Sequence, residues 1–101
     1  PNMAEQRLLS LLDDLYPGDW RFVGDGQVIL GGLNPDFINC NGKKLIIELF
    51  GAHWHQDITG PRSETGRADA FRAFGYKTLI VWEKELGHKS LLITKIRRFH
   101  E

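Results

Sequence analysis

The chain has 101 residues, of which 42% are hydrophobic and 26% charged, enough for one domain with a single modest core. This length excludes a two-domain protein and a long repeat array. No apolar run approaches the roughly 20 residues of a membrane span, and the first residues lack the order of a signal peptide. Cys40 is the one cysteine, so an internal disulfide and a multi-cysteine zinc cluster are excluded. We expect an intracellular protein.

Acidic and basic side chains cancel, thirteen against thirteen, which argues against binding a polyanion by net charge alone. Their distribution is uneven: residues 1–50 carry seven acids and four bases, and residues 51–101 carry six acids and nine bases. A basic strip near the end of the chain is a candidate contact for phosphates, and the alternative is a solvated helix face. Its members are Lys89, Lys95, Arg97 and Arg98.

The first half of the chain predicts a helix followed by short strands. Leucines recur at helical spacing over 8–15, with Asn2 as a plausible N-cap and a breaker at Pro17. The β-prone runs 20–23 and 27–30 flank a glycine-rich turn and predict a hairpin.

Two further runs, 36–40 and 43–50, flank Asn41-Gly42, a strong hairpin signal, and predict a second hairpin or a meander.

The second half predicts a long loop, a helix, a strand and a last helix. The loop over 51–66 is long for a connector, and Ser63 can cap a helix that ends at Gly75. The apolar strand 77–82 suits burial on both faces, and a helix can begin at Ser90. The order α-β-β-β-α-β-α, with a possible extra strand, predicts an α/β (α+β) domain with helices packed on a sheet.

Two acids, Asp36 and Glu48, are candidates for a shared site. Glu48 has apolar neighbours on both sides within LIIELF at 45–50, so a metal or a cationic partner is expected. Asp36 follows Pro35 at the start of the preceding strand. Carboxylates from neighbouring strands can converge on one hard divalent cation.

The hairpin register decides whether these two acids share a face. A two-residue loop places Asp36 opposite Ile47, so that Asp36 and Glu48 lie on opposite faces. A three-residue loop with a glycine bulge pairs Asn39 with Lys43 and returns both acids to one face. A shared metal therefore predicts the bulged hairpin.

Three other residues are candidates for the same site. Glu5 lies on the leucine stripe of the first helix, although three residues after Asn2 it can instead complete a capping box. His55 can act as a general base beside a metal-bound water if it lies near the acids, and is otherwise a loop histidine. Trp54 can belong to the core or a lid, or can stack on a base.

The sequence resembles the very-short-patch-repair endonucleases and the Vsr-like nuclease domains of phage homing endonucleases, including the E-D-x-H-D group. The segments that carry this resemblance are NPDF at 34–37, LIIELFGAHWH at 45–55 and FGYKTLIVWE at 74–83. These families have the PD-(D/E)xK nuclease fold, a mixed central sheet flanked by helices. The resemblance covers nearly the whole chain and rests on the order and spacing of the segments.

The resemblance assigns a role to each candidate residue. Asp36 matches the central metal-binding aspartate, Glu5 the acid of the first helix and His55 the catalytic histidine. Glu64 occupies the position of the last acid, usually aspartate, with Asp57 and Asp69 as competitors.

Glu48 restores the acid of the general PD-(D/E)xK pattern, and Leu49 would offer its backbone carbonyl to the metal. Phe50 stands where that pattern has lysine, or where the repair enzymes have histidine.

The function implied by the resemblance is Mg²⁺- or Mn²⁺-dependent hydrolysis of double-stranded DNA by a single catalytic domain over residues 1–101. The cysteines of the repair enzymes' zinc site are missing, which favours the homing branch, phage-encoded or in a bacterial host. We expect a fragment of a longer protein whose DNA-recognition segments lie elsewhere. Alternatives are a mismatch-repair nicking enzyme, an inactive nucleic-acid-binding module, an RNA-processing domain and an interaction domain without a nucleic-acid role.

Overall fold

The computed structural model describes residues 1–51 and 63–101, which form three α-helices, four strands and a short 3₁₀ helix. In chain order these elements are α1 (Met3–Leu15), β1 (Trp20–Phe22), β2 (Phe37–Asn39), β3 (Leu45–Phe50), α2 (Glu64–Arg72), β4 (Lys77–Trp82), the 3₁₀ helix (Glu83–Gly87) and α3 (Lys89–His100). The predicted order α-β-β-β-α-β-α is confirmed.

Local capping signals set the beginnings of two helices as predicted. The Asn2 side chain accepts the backbone N–H of Glu5, and the Glu5 side chain accepts the backbone N–H of Asn2, which is a complete capping box. Ser63 caps α2 by accepting the N–H of Gly66 at 3.0 Å. Helix α1 buries its leucine stripe, as its spacing predicts.

The four strands form one mixed sheet in the order β1-β2-β3-β4. Strands β1, β2 and β3 are antiparallel neighbours, whereas β4 runs parallel to β3 and requires the crossover that contains α2. The main core lies where α1 and α3 pack on one face of this sheet. Its buried members include Leu8, Leu12, Trp20, Phe37, Ile47, Val81, Leu92 and Ile96.

The first predicted hairpin is wrong. Residues 27–30 form no strand, and β1 pairs with β2 instead, with Trp20 opposite Asn39. The side chain of Asn34 organises the intervening loop, because its amide donates to the carbonyls of Val23 and Val28 at 2.7 and 2.8 Å. The loop is therefore closed by a half-buried amide rather than by a strand ladder.

The register of the second hairpin differs from both predicted pairings. Strands β2 and β3 pair Phe37 with Ile47, so one step further Asp36 stands opposite Glu48. This register is two residues away from the pairing of Asn39 with Lys43. Because side chains alternate with a period of two, the shift keeps both acids on one face, as the shared-site hypothesis requires.

The turn of this hairpin is longer than predicted because a side chain stabilises it. The Oδ1 atom of Asn39 accepts the backbone N–H groups of Asn41 and Lys43, at 2.9 and 3.2 Å. Gly42 takes a positive φ of 87°, which favours glycine at this position.

Burial also differs from the prediction for the strands. All six residues of β3 are buried, whereas β4 has only Val81 buried and the rest half-buried or exposed. The reason is position: β3 lies inside the sheet, whereas β4 is at its edge. No helix in the described part of the chain has the length and apolar character needed to cross a membrane.

The end of α3 is held by a buried histidine. The Trp20 indole donates to His100 Nε2 at 3.0 Å, and the Tyr16 ring stacks on the imidazole with centroids 3.7 Å apart. Burial lowers the pKa of His100 below its usual 6.5, Lys43 lowers it further, and Asp19 opposes both. His100 is therefore neutral in the folded protein, with Nε2 as an acceptor.

We expect His100 to make folding sensitive to acid. A base whose pKa is lower in the folded state contributes stability above its unfolded pKa of 6.5, and this stability is lost as the pH falls towards the folded pKa. Urea unfolding at pH 7.5 and 5.5 should show a smaller acid-dependent loss in His100→Gln than in the parent. The same pH dependence in both proteins would contradict this role.

Candidate active site

The two predicted acids meet at the end of β3. The backbone N–H of Asp36 donates to Glu48 Oε2 at 3.0 Å, and the backbone N–H of Leu49 donates to Asp36 Oδ2 at 2.8 Å. These reciprocal contacts tie the start of β2 to the end of β3. They fix both carboxylates relative to the sheet backbone while leaving them further acceptor positions.

Glu48 has the cationic partner that its apolar sequence context predicts. Arg67 Nε lies 2.5 Å from Glu48 Oε1, and the two side chains are 9% and 0% exposed. The same guanidinium donates to the carbonyl of Asn34 at 2.9 Å. A buried carboxylate is tolerated when it has this kind of charge-assisted partner.

Arg67 is the residue that sequence reasoning missed. It precedes Phe71 by four residues, and residues at this spacing share one face of a helix. Phe71 is fully buried, so Arg67 also points into the protein. An arginine on an apolar helix stripe, together with an acid inside an apolar strand, is the signal that predicts this pair.

The site holds more negative charge than its surroundings favour. Burial, and then the charge of Asp36, raise the pKa of Glu48 to about 8, against the opposing effect of Arg67. Burial is also the main cause that raises the pKa of Asp36, and the charge of Glu5 contributes. One guanidinium therefore does not fully offset the adjacent carboxylates.

A cleft of about 240 Å³ opens beside this cluster. Its lining residues are Gly32, Leu33, Asn34, Asp36, Glu48, Phe50 and Arg67. Opposite Asp36 the backbone of Gly24 approaches closely: a Cβ there would lie 3.3 Å from Asp36 Oδ1 and 2.7 Å from the Phe22 ring. Glycine at this position leaves Asp36 without a crowding side chain.

The other predicted acids occupy different places. Glu5 completes the capping box of α1, and its charge is close enough to contribute to the raised pKa of Asp36, while its role at the site stays a prediction. Glu64 is exposed at the first position of α2. Asp69 is exposed and pairs with Arg72 at 2.8 Å, on the surface of the same helix.

Several predictions fall on residues outside those that the structure describes. They concern the catalytic histidine, its aromatic neighbour and the third candidate for the last acid, namely His55, Trp54 and Asp57. The predicted phosphate-contacting residues Lys89, Lys95, Arg97 and Arg98 are all on α3, at its beginning and in its second half. Of these, Lys95 binds Glu85 at 2.9 Å and the Ile80 carbonyl at 2.7 Å, and the exposed members are Lys89, Arg97 and Arg98.

The donor atoms at the cleft suit a hard divalent cation. Asp36 and Glu48 offer carboxylate oxygens. Leu49 follows Glu48 on β3 and donates its N–H to Asp36, so its backbone carbonyl is a further oxygen beside the two acids. Mg²⁺ and Mn²⁺ prefer such oxygen ligands. Within residues 1–51 and 63–101, no three His, Cys, Asp or Glu side chains are grouped so that they could hold a metal.

The chain shares its fold with the catalytic domain of the homing endonuclease I-Bth0305I. The two structures have a TM-score of 0.67 over 98% of this chain and 94% of that chain, at 23% sequence identity. No family model and no curated protein sequence matches the chain. The mixed four-stranded sheet with three helices is therefore the fold of a homing endonuclease catalytic domain.

Proposed function

We propose that this chain is the catalytic domain of a divalent-metal-dependent DNA endonuclease, of the Vsr-like PD-(D/E)xK type found in homing endonucleases. The observation that carries the proposal is the pair of half-buried Asp36 and buried Glu48, side by side in a cleft with the Arg67 guanidinium. The shared fold supports it. A DNA substrate implies that the protein acts inside the cell, and sequence recognition would be supplied by segments beyond this domain.

The chain's own residues would hold the metal and position the reactants. Asp36, Glu48 and the Leu49 carbonyl would be the metal ligands. When bound, Mg²⁺ or Mn²⁺ supplies Lewis-acid polarisation of the scissile phosphate and stabilises the leaving oxygen. His55 would take a proton from the attacking water. Arg67 keeps the Glu48 carboxylate oriented and adds positive charge at the wall of the cleft.

Two acids would act from the periphery. Glu5, at the start of α1, would hold His55 or a metal-bound water, and Glu64 would do the same from the start of α2. The exposed bases of α3 would contact phosphates without reading sequence. Among the candidates for the last acid, Glu64 is preferred to Asp69, because Asp69 is engaged with Arg72 on the surface.

Cleavage of supercoiled plasmid tests this function. The purified chain with Mg²⁺ or Mn²⁺ should nick or linearise the plasmid, and EDTA, Asp36→Ala or His55→Ala should each abolish cleavage. The assay should be repeated at low salt, where phosphate contacts bind most tightly. No cleavage in either metal under those conditions would overturn the proposal.

A second candidate is a nucleic-acid-binding module of the same fold without catalysis. Phe50 favours it, because the position where the general pattern has lysine holds a buried ring packed edge-on against Trp82, with centroids 5.4 Å apart. This candidate predicts binding without metal-dependent cleavage. Parallel assays on RNA distinguish a DNA enzyme from an RNA-processing domain.

A further inference from the structure

Three lysines lie together at the end of the sheet opposite the cleft. Lys43 and Lys44 immediately precede β3, and Lys77 is the first residue of β4. Because β3 and β4 are parallel, their amino ends meet at one edge, and the backbone N–H of Lys77 donates to the Lys44 carbonyl at 3.0 Å. We call these three exposed residues the basic edge.

Each amine of the basic edge is placed by a contact that leaves its charge uncompensated. Lys43 Nζ donates to the carbonyl of His100 at 3.0 Å. The amines of Lys44 and Lys77 lie over the rings of Tyr76 and Phe99, at 4.8 and 5.5 Å from the centroids. An ammonium group has three donors, so these contacts leave donors that face solvent.

No carboxylate in the described part of the chain forms an ion pair with the basic edge. Asp19, which precedes β1, accepts a hydrogen bond from the side chain of Asn41 at 3.0 Å. The contacts with the two rings position Lys44 and Lys77, but a ring carries no opposite charge. An anionic ligand would compensate the charge of both amines.

The last turn of α3 extends the same positive surface. Arg97 and Arg98 are exposed there, within one turn of the His100 carbonyl that binds Lys43. Lys44 and Glu48 are four residues apart on one strand, so about 13 Å separates the basic edge from the cleft at roughly 3.3 Å per residue. A nucleic-acid backbone is long enough to reach both.

We propose that the basic edge is a second, non-catalytic contact site for the phosphate backbone of a nucleic-acid duplex. The inference rests on the proposed function, since it names how the same substrate is held away from the cleft. Its ligand chemistry is phosphate, common to DNA and RNA duplexes. The contacts are charge-assisted and independent of base sequence.

Salt-dependent binding tests the site without requiring cleavage. The triple variant Lys43→Gln, Lys44→Gln and Lys77→Gln is compared with a control triple that loses the same charge elsewhere, namely Arg21→Gln, Arg72→Gln and Lys84→Gln. Fluorescence anisotropy with labelled DNA and RNA duplexes is measured across a KCl series in EDTA. Circular dichroism checks that both variants remain folded.

The basic-edge variant should reduce the slope of log affinity against log salt by about 0.9 for each lost phosphate contact, and the control should retain the parent slope. Equal effects on DNA and RNA would assign the edge to phosphate itself, and an effect on DNA alone would assign it to the DNA duplex. The same slope in both variants, or no salt-dependent binding by the parent, would overturn the inference. If the parent binds duplexes in this salt-dependent way but does not cleave plasmid, only the proposed nuclease activity is contradicted.

Discussion

Above pH 8, where Glu48 is ionised, Arg67→Gln should lower the free energy of unfolding by about 3–5 kcal/mol, because it leaves the Glu48 charge buried without its cation. The matched control is Arg72→Gln, which breaks an exposed pair on the same helix and should cost less than about 1 kcal/mol. Urea unfolding followed by circular dichroism measures both. A cost for Arg67→Gln no larger than the control's would contradict the role of the buried pair.

The stability that Arg67→Gln removes should depend on pH, and replacing Glu48 as well should restore most of it. Without Arg67 the folded pKa of Glu48 lies above the parent's value of about 8, so the stability difference between Arg67→Gln and the parent should grow as the pH rises above 8, where the parent ionises Glu48, and should be smaller and nearly constant from pH 5 to 7. Glu48→Gln combined with Arg67→Met should recover most of the loss. Its amide oxygen can still accept the Asp36 N–H, and no buried charge remains.

Asp36→Asn should separate stability from metal binding. Without metal the variant should be at least as stable as the parent, because it removes one of two adjacent carboxylates while an amide oxygen can still accept the Leu49 N–H. Metal at 100 times its Kd should stabilise the parent by about 2.7 kcal/mol, and this stabilisation should be lost in the variant.

Thermal unfolding in EDTA and in MnCl₂ provides the measurement. The control is Asp13→Asn, an exposed aspartate on α1, which should keep the metal-induced rise in Tm. An equal rise in the parent and in Asp36→Asn would place the metal elsewhere. Cleavage should follow the same order, with Asp36→Asn inactive and Asp13→Asn active.

Local signals predicted the helices and most of the strands. Asn2 with Glu5, and Ser63 with the following turn, are capping patterns that need no tertiary information, and the structure contains both. The partner of β1 could not be predicted in the same way. Residues 27–30 have β propensity, but the long-range pairing of β1 with β2 and the hydrogen bonds of Asn34 decide the outcome.

For the candidate site, too, local features were predictable from the sequence and long-range contacts were not. The context of Glu48 predicted a buried acid with a charged partner, because the cost of burying a carboxylate is a local argument. The identity of that partner depends on where α2 crosses the sheet, which a single sequence does not reveal. The sequence left two hairpin registers open, with Asp36 and Glu48 on opposite faces in one and on the same face in the other, and the structure has neither. The side chain of Asn39 stabilises a longer loop, which a turn motif alone does not predict.

The parallel pairing of β3 with β4 has a consequence for the order of folding. The antiparallel strands β1, β2 and β3 can assemble from residues 20–50, whereas β4 and Arg67 arrive only after the chain closes a long crossover. Contacts of large sequence separation form slowly because of the entropy of loop closure. We expect Glu48 to be in place before its cation, so the buried ion pair would form only when α2 and β4 dock on the meander.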